Sequence, residues 1–289
     1  MPSITDAIAV LEVSELKTRI LAAVILLPLL LVILIVLPPL AATILLAAMS
    51  AVAAWEMLCG TGLVKHPRLV IYTVLEAAFM GMWCGFGSPY LWGYIGVLIF
   101  CFLLFGEMLL AKTKLPLEKV LVCLAGGVLI PYLLCAIVRI RNMESGNIFV
   151  LLPFLLAFIS DSGAYFAGIF LGKHKLAPTI SPKKTVEGLF GGIAAAILGM
   201  MIFGLVLWLG FGYRVNYLYC VIYGVVGSLA SVLGDLVFSV IKRQCGVKDY
   251  GKIIPGHGGV LDRFDSMTVV GPVAEVLLLI LPFAEKLNG

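Results

Sequence analysis

Apolar positions along the chain come in solid runs of about twenty, not in alternation or in a one-sided stripe, and short polar stretches separate them. A helix needs about 20 residues to cross about 30 Å of hydrocarbon. The runs therefore predict spanning helices near 20–37, 40–58, 69–86, 91–111, 117–138, 147–171, 187–210, 217–241 and 267–284. Pro38-Pro39, the stretch from Gly85 to Pro89 and Gly210-Phe211-Gly212 break the runs where the chain must turn. Residues 1–18 mix polar and apolar side chains and read as an interfacial segment. The first apolar run begins too late and runs too long for a cleavable signal peptide. The pattern predicts an all-α, polytopic membrane bundle of about nine transmembrane helices. It has three parts: the interfacial segment 1–18, N-terminal membrane helices over 19–146, and a C-terminal membrane region over 147–289.

Composition agrees and excludes other classes. Hydrophobic residues make up 62% of the 289 and charged ones 12%, against about 45–50% and 25% in soluble domains. Mean hydropathy is +1.13. No soluble domain of this size can hide so much apolar side chain. Disorder needs the opposite balance, and a β-barrel would alternate over segments of about 10 residues. The seven cysteines lie mostly in apolar runs without a CxxC or Cys/His spacing, so they read as packing residues.

Charge placement orients the bundle. With the N-terminus cytoplasmic, sixteen of the twenty lysines and arginines fall on the inner side. Four (Arg139, Arg141, Arg214 and Lys286) fall on the outer side. Up to about residue 150 the connections are short and bland. Beyond it, two polar inner segments appear, 172–186 and 242–266. The chemistry concentrates in the C-terminal half.

Six acidic residues interrupt apolar runs: Glu56, Glu76, Glu107, Asp161, Asp235 and Glu275. A carboxylate in hydrocarbon is costly unless paired, ligated or hydrated, which makes each a functional candidate. Glu56, Glu107 and Glu275 lie near run ends and are expected to reach the interface; Glu76 is deeper and unexplained. Asp235 shares a helical face with Gly224, Ser228, Ser231, Ser239 and Lys242, separated by three or four residues each. Tight helix packing explains the small members of that stripe but not the aspartate. Asp235 would lie roughly 10 Å below Lys242 on a helix rising about 1.5 Å per residue. Asp161 shares a face with Tyr165 and Gly168.

Ser181-Pro182 reads as a helix N-cap and first position, which would put Lys183 and Lys184 in a first turn suited to anions. The segment 242–266 carries Lys242, Arg243, Lys248, Asp249, His257, Gly258, Gly259, Asp262, Arg263 and Asp265 around a Gly-rich turn. Glycines let backbone N–H groups approach phosphates, and Lys or Arg neutralise phosphate charge. Aspartate oxygens suit Mg²⁺, which binds through one or two carboxylates plus substrate phosphates and water. His257 is either a loop hydrogen-bonding residue or a phosphate contact. Asp262 and Asp265 can alternatively cap the last span.

These residues resemble a known family. Ser239–Arg243, Lys248-Asp249 and Pro255-Gly256-His257-Gly258-Gly259-Val260-Leu261-Asp262-Arg263-Phe264-Asp265 are similar to the signature of phosphatidate cytidylyltransferases. Gly234-Asp235-Leu236, Asp161–Gly168 and Ser181–Gly188 also match that family's pattern, so the resemblance covers residues 155–270. It implies transfer of CMP from CTP to phosphatidic acid, giving CDP-diacylglycerol and pyrophosphate. It further implies Mg²⁺ on Asp235 and Asp262, with K⁺ as an accompanying ion, and a multi-pass homodimer in a bacterial inner membrane. The implied partners are CTP, phosphatidic acid and the bilayer, with no nucleic acid.

On this reading Asp235, Asp262, Lys242, Arg263 and Asp161 carry the chemistry. Lys183, Lys184, Arg243, Lys248, Asp249, His257, Gly258, Gly259 and Asp265 bind substrate, with the Gly258-Gly259 backbone at pyrophosphate. The competing class is an ion- or proton-coupled transporter using Asp161 and Asp235. The inverted repeats that transporters often show are not evident in the sequence, and a transporter has no need of the two basic segments.

Overall fold

The computed structural model describes residues 24–87, 90–110 and 115–286. The predicted interfacial segment, and Lys17, Arg19, Lys112 and Lys114 of the orientation argument, lie outside them. Among the described residues, seven helices are long and apolar enough to cross a membrane: α2 (Pro39–Gly60), α3 (Pro67–Phe86), α4 (Tyr90–Leu110), α5 (Leu117–Arg141), α6 (Gly146–Leu171), α7 (Val186–Phe211) and α8 (Tyr217–Gln244). Three shorter ones accompany them: α1 (Val24–Ile35), α9 (Val260–Phe264) and α10 (Met267–Ile280). Each of the nine predicted runs overlaps one of these helices. The ninth stops at Ile280, short of residue 284. Leu281 leaves helical geometry ahead of Pro282, which disfavours helical backbone in the residue before it.

The chain packs as two compact units. One comprises the residues up to Pro131 together with Cys245–Arg263, and the other comprises Tyr132–Gln244 with the residues from Phe264 onward.

In the first unit the helices meet through small residues. Lipid supplies no hydrophobic drive between helices, so close backbone approach and dispersion must hold them. A Cβ on Gly81 would strike the Ala47 backbone, and one on Gly85 would strike Thr43, so α2 and α3 touch at these points. Gly93 and Gly96 of α4 similarly seat the rings of Trp83 and Phe79. Two π-helical turns interrupt this unit, Glu56–Gly60 at the end of α2 and Ala125–Leu129 within α5.

In the second unit α6 and α7 lie glycine to alanine, with Gly163 against Ala195 and Gly191 against Ala167. Gly224 of α8 packs on the Ile197 backbone. A hairpin and a second two-stranded sheet complete this unit. Strands β1 (Lys175–Ala177) and β2 (Ser181–Thr185) pair antiparallel between α6 and α7, with Lys175 opposite Thr185. Gly212, at φ +68°, ends α7 and leads into β3 (Tyr213–Val215), which pairs with β4 (Ala284–Lys286).

The first hairpin corrects the expected helix start. Ser181 and Pro182 begin a strand, and the helix starts at Val186. Its N-cap is Thr185, whose Oγ1 accepts the Gly188 N–H at 3.1 Å. Lys183 and Lys184 therefore project from a strand edge and not from a helical first turn.

A charged cavity and a glycine loop: candidate functional residues

The second unit contains a cavity of about 540 Å³ between α6, the β1–β2 hairpin, α7 and α8. Its polar lining is Asp161, Lys175, Lys183, Lys184, Thr185 and Asp235; Tyr165, Ile169, Leu176, Leu189 and Val232 supply an apolar wall. Four of the predicted site residues thus meet in one chamber, on three different elements. Lys175 belongs with them, although in the sequence it counted only as an inside charge.

Helix α8 places its polar stripe as its spacing requires. Ser228 Oγ lies 2.6 Å from Ser160 Oγ of α6. One turn on, Ser231 Oγ donates to Asp161 Oδ1 at 3.3 Å. Asp235 follows. Its Oδ1 accepts from Ser239 Oγ at 3.2 Å, and its Oδ2 lies 2.5 Å from Lys184 Nζ. The last of these is an ion contact by distance, not a directed hydrogen bond. Both side chains are part-exposed, at 23% and 31%, while the Lys184 Nζ atom itself is buried. Glu187 pins the hairpin from below, its carboxylate accepting the Lys173 and His174 amides at 3.0 and 3.2 Å.

Lys242, the stripe's end, is buried, with Nζ 3.9 Å from Asp265 Oδ2. Asp265 also accepts the Ser266 N–H through Oδ1 at 2.7 Å. Arg243 is exposed, and its Nε reaches the Ile180 carbonyl of the hairpin turn at 3.5 Å.

The first unit carries the Gly-rich segment. Asp262 is buried, and its Oδ2 accepts two backbone N–H groups, from Tyr250 at 2.8 Å and Gly259 at 3.0 Å. The Gly259 amide is therefore engaged inside the loop. Gly258 holds φ at +91°, a conformation that favours glycine. His257 Nδ1 lies 3.4 Å from the Pro255 carbonyl. Lys248, Asp249 and Arg263 are exposed.

The three glutamates expected at the interface each have a protein partner. Glu107 meets Arg68 at 3.3 Å and the Tyr72 hydroxyl at 3.4 Å. Glu275 is gripped by Arg139, Nε to Oε1 at 2.6 Å and Nη2 to Oε2 at 2.7 Å. Glu56 is 0% exposed, and it accepts the amides of Val260 and Leu261. The bare presence of a glutamate in an apolar run was the available signal for it; its partners lie too far along the chain to be read from spacing.

Asp235 and Asp262 offer hard oxygens of the kind Mg²⁺ takes. Among the described residues, no group of three or more His, Cys, Asp or Glu side chains gathers to hold a metal by itself. Each carboxylate by itself is the kind of single ligand that Mg²⁺ takes alongside water and substrate phosphate.

Comparison with known proteins follows the same direction. A family model described as the cytidylyltransferase family matches residues 17–281. The phosphatidate cytidylyltransferase of Staphylococcus epidermidis (strain RP62A) is 37% identical over 185 residues, 64% of this chain and 68% of that protein. That of Bacillus subtilis (strain 168) is 46% identical over 142 residues, 49% and 51% of the two chains. That of Staphylococcus aureus (strain COL) is 41% identical over 145 residues, 48% and 52%. A polytopic helical chain with a lysine- and aspartate-lined chamber, matched over nearly its whole length, belongs to the cytidylyltransferase family.

Proposed function

We propose that this protein transfers CMP from CTP to phosphatidic acid, giving CDP-diacylglycerol and pyrophosphate, at the cytoplasmic face of a bacterial inner membrane. The observation that carries the reading is the two-sided character of the cavity in the second unit. Three lysines and two aspartates share it with an apolar wall, which suits a phosphate attached to a diacylglycerol. Lys175, Lys183 and Lys184 neutralise phosphate charge, while Ile169, Leu176, Leu189 and Val232 receive the first methylenes of the acyl chains.

In the reaction, an oxygen of the lipid phosphate attacks the α-phosphorus of CTP. The new P–O bond forms as the bond to the β-phosphate bridging oxygen breaks, and pyrophosphate carries away the electron pair. Little covalent help is needed; alignment and charge stabilisation set the rate. Asp235 and Asp262 are the proposed holders of Mg²⁺, with K⁺ as an accompanying ion. Bound Mg²⁺ supplies neutralisation of the phosphate oxygens. Ser231 orients Asp161, and Ser239 orients Asp235. Lys248, Arg243 and Arg263 are proposed to meet the nucleotide phosphates. The family resemblance also supports a homodimer, to be measured as the protein mass in detergent by light scattering.

The test is direct. Purified protein with Mg²⁺, CTP and phosphatidate should release pyrophosphate and form CDP-diacylglycerol in equal amounts. Omission of any one component, or EDTA, should stop both. Pyrophosphate release without lipid, or none with the full mixture, refutes the reading.

A further inference from the structure

We propose that Glu56, in the second helix, is a positioning residue for Asp262: its buried carboxylate holds the glycine loop in the shape that aims the Asp262 side chain. The inference rests on the proposed role of Asp262 as a Mg²⁺ holder.

Glu56 opens the π-helical turn that ends α2 and is fully buried. A carboxylate without water must be satisfied by hydrogen bonds. Both of its oxygens are. Oε1 accepts the Val260 N–H at 3.0 Å and Oε2 accepts the Leu261 N–H at 2.8 Å. Those amides belong to the two residues immediately before Asp262. Asp262 in turn closes the loop on itself through the Tyr250 and Gly259 amides. A continuous path therefore runs from α2 through the Glu56 carboxylate and the 260–261 backbone to the Asp262 oxygens.

The glycines of the segment are explained by the same contact. A Cβ on Gly259 would lie 2.5 Å from both Glu56 oxygens, and one on Gly251 would also strike that carboxylate. A Cβ on Gly60, at the other end of the π-turn, would strike the Tyr250 carbonyl. Gly60, Gly251 and Gly259 let the loop press against the turn closely enough for the amides to reach Glu56. The inserted residue of a π-turn is a device often found at functional sites.

Substitution separates this role from simple packing. Glu56→Gln keeps the volume but replaces one acceptor with an NH₂ donor facing a backbone N–H. Glu56→Asp keeps both acceptors on a shorter stem. The loop is read without metal or nucleotide, by the rate of tryptic cleavage at the exposed Lys248 and Lys252 in detergent. The site is read by titrating Mg²⁺ against CMP transfer. Glu56→Gln is expected to accelerate cleavage and to raise the Mg²⁺ needed for half-maximal rate by about 10- to 100-fold, the usual range for a group supporting a metal ligand. The KM for CTP at saturating Mg²⁺ should stay within about twofold, since the loss then lies in the metal response and not in nucleotide binding. Glu56→Asp should fall between Gln and the parent in both readouts. Gly259→Ala, which intrudes on the same carboxylate, should reproduce the Gln phenotype, and combining the two should add little.

Unchanged cleavage in Glu56→Gln, or a Gln variant that outperforms Asp, overturns the proposal. Faster cleavage with an unmoved Mg²⁺ titration also overturns it, because Glu56 then serves the loop alone. Full activity of Asp262→Asn is a different failure: it removes the metal role of Asp262 and the positioning role with it, while leaving the cleavage result standing.

Discussion

Asp235 is held at both oxygens, by the Ser239 hydroxyl and by Lys184, so its direction is set while part of it stays in water. Asp235→Asn preserves shape and removes the charge. If the carboxylate holds Mg²⁺, the Mg²⁺-dependent transfer of label from CTP to lipid should fall by about 100-fold or more. Asp262→Asn should do the same, and activity within a few-fold of the parent in either variant removes that residue's metal role. Glu76 poses the opposite case. It is 7% exposed in α3, and its Oε1 has no hydrogen-bond partner among the described residues. A neutral amide is cheaper than a carboxylate in such a place. Glu76→Gln should therefore melt in detergent no lower than the parent, and a clear drop in Tm would mean that the carboxylate has a partner which stabilises it.

At the scale of elements, the stripe from Gly224 to Lys242 was legible because a helix repeats faithfully, and its serines meet the α6 partners that spacing alone could not name. The β1–β2 hairpin was not legible. Ser-Pro fits a helix start and a strand edge equally well, and the pairing of Lys175 with Thr185 is a choice made across a turn. The partners of the glutamates near run ends were not legible for a similar reason: distance from a run's end says nothing of what a neighbouring helix brings. Arg139 shows the consequence. It grips Glu275 of α10 with two nitrogens, gives Nη1 to the Tyr132 carbonyl at 2.9 Å, and lies over the Tyr132 ring at 4.4 Å. Glu275→Gln removes the charge paired with a largely buried guanidinium and should cost about 3–5 kcal/mol of stability. The Arg139→Met/Glu275→Leu double variant should recover much of that loss. Thermal melts in detergent decide it, with activity per folded molecule unchanged, since neither residue lines the charged cavity. A double variant as unstable as the single would show that the pair contributes more than charge compensation.

Over the whole molecule, the membrane-spanning class and the positions of the apolar runs followed from composition and run length, because the bilayer imposes one length on every crossing. What run length cannot carry is contact between distant parts of the chain, such as Glu56 with residues 204 and 205 positions away. Orientation is a third kind of property, carried by charge bias and independent of packing. The charge bias predicts that the lysines of 172–186 and 242–266 face the cytoplasm and that Arg214 in β3 and Lys286 in β4 face away from it. Single cysteines at Lys252 and at Arg214 report the two sides when treated with a membrane-impermeant maleimide, against the parent with its seven native cysteines as background. The cysteine at 214 should label in intact cells, and the one at 252 only after the membrane is opened. That outcome puts the glycine loop on the cytoplasmic side, where CTP is available. Labelling of 252 in intact cells would put the loop on the side without nucleotide, and CTP could no longer be its substrate whatever the cavity's shape.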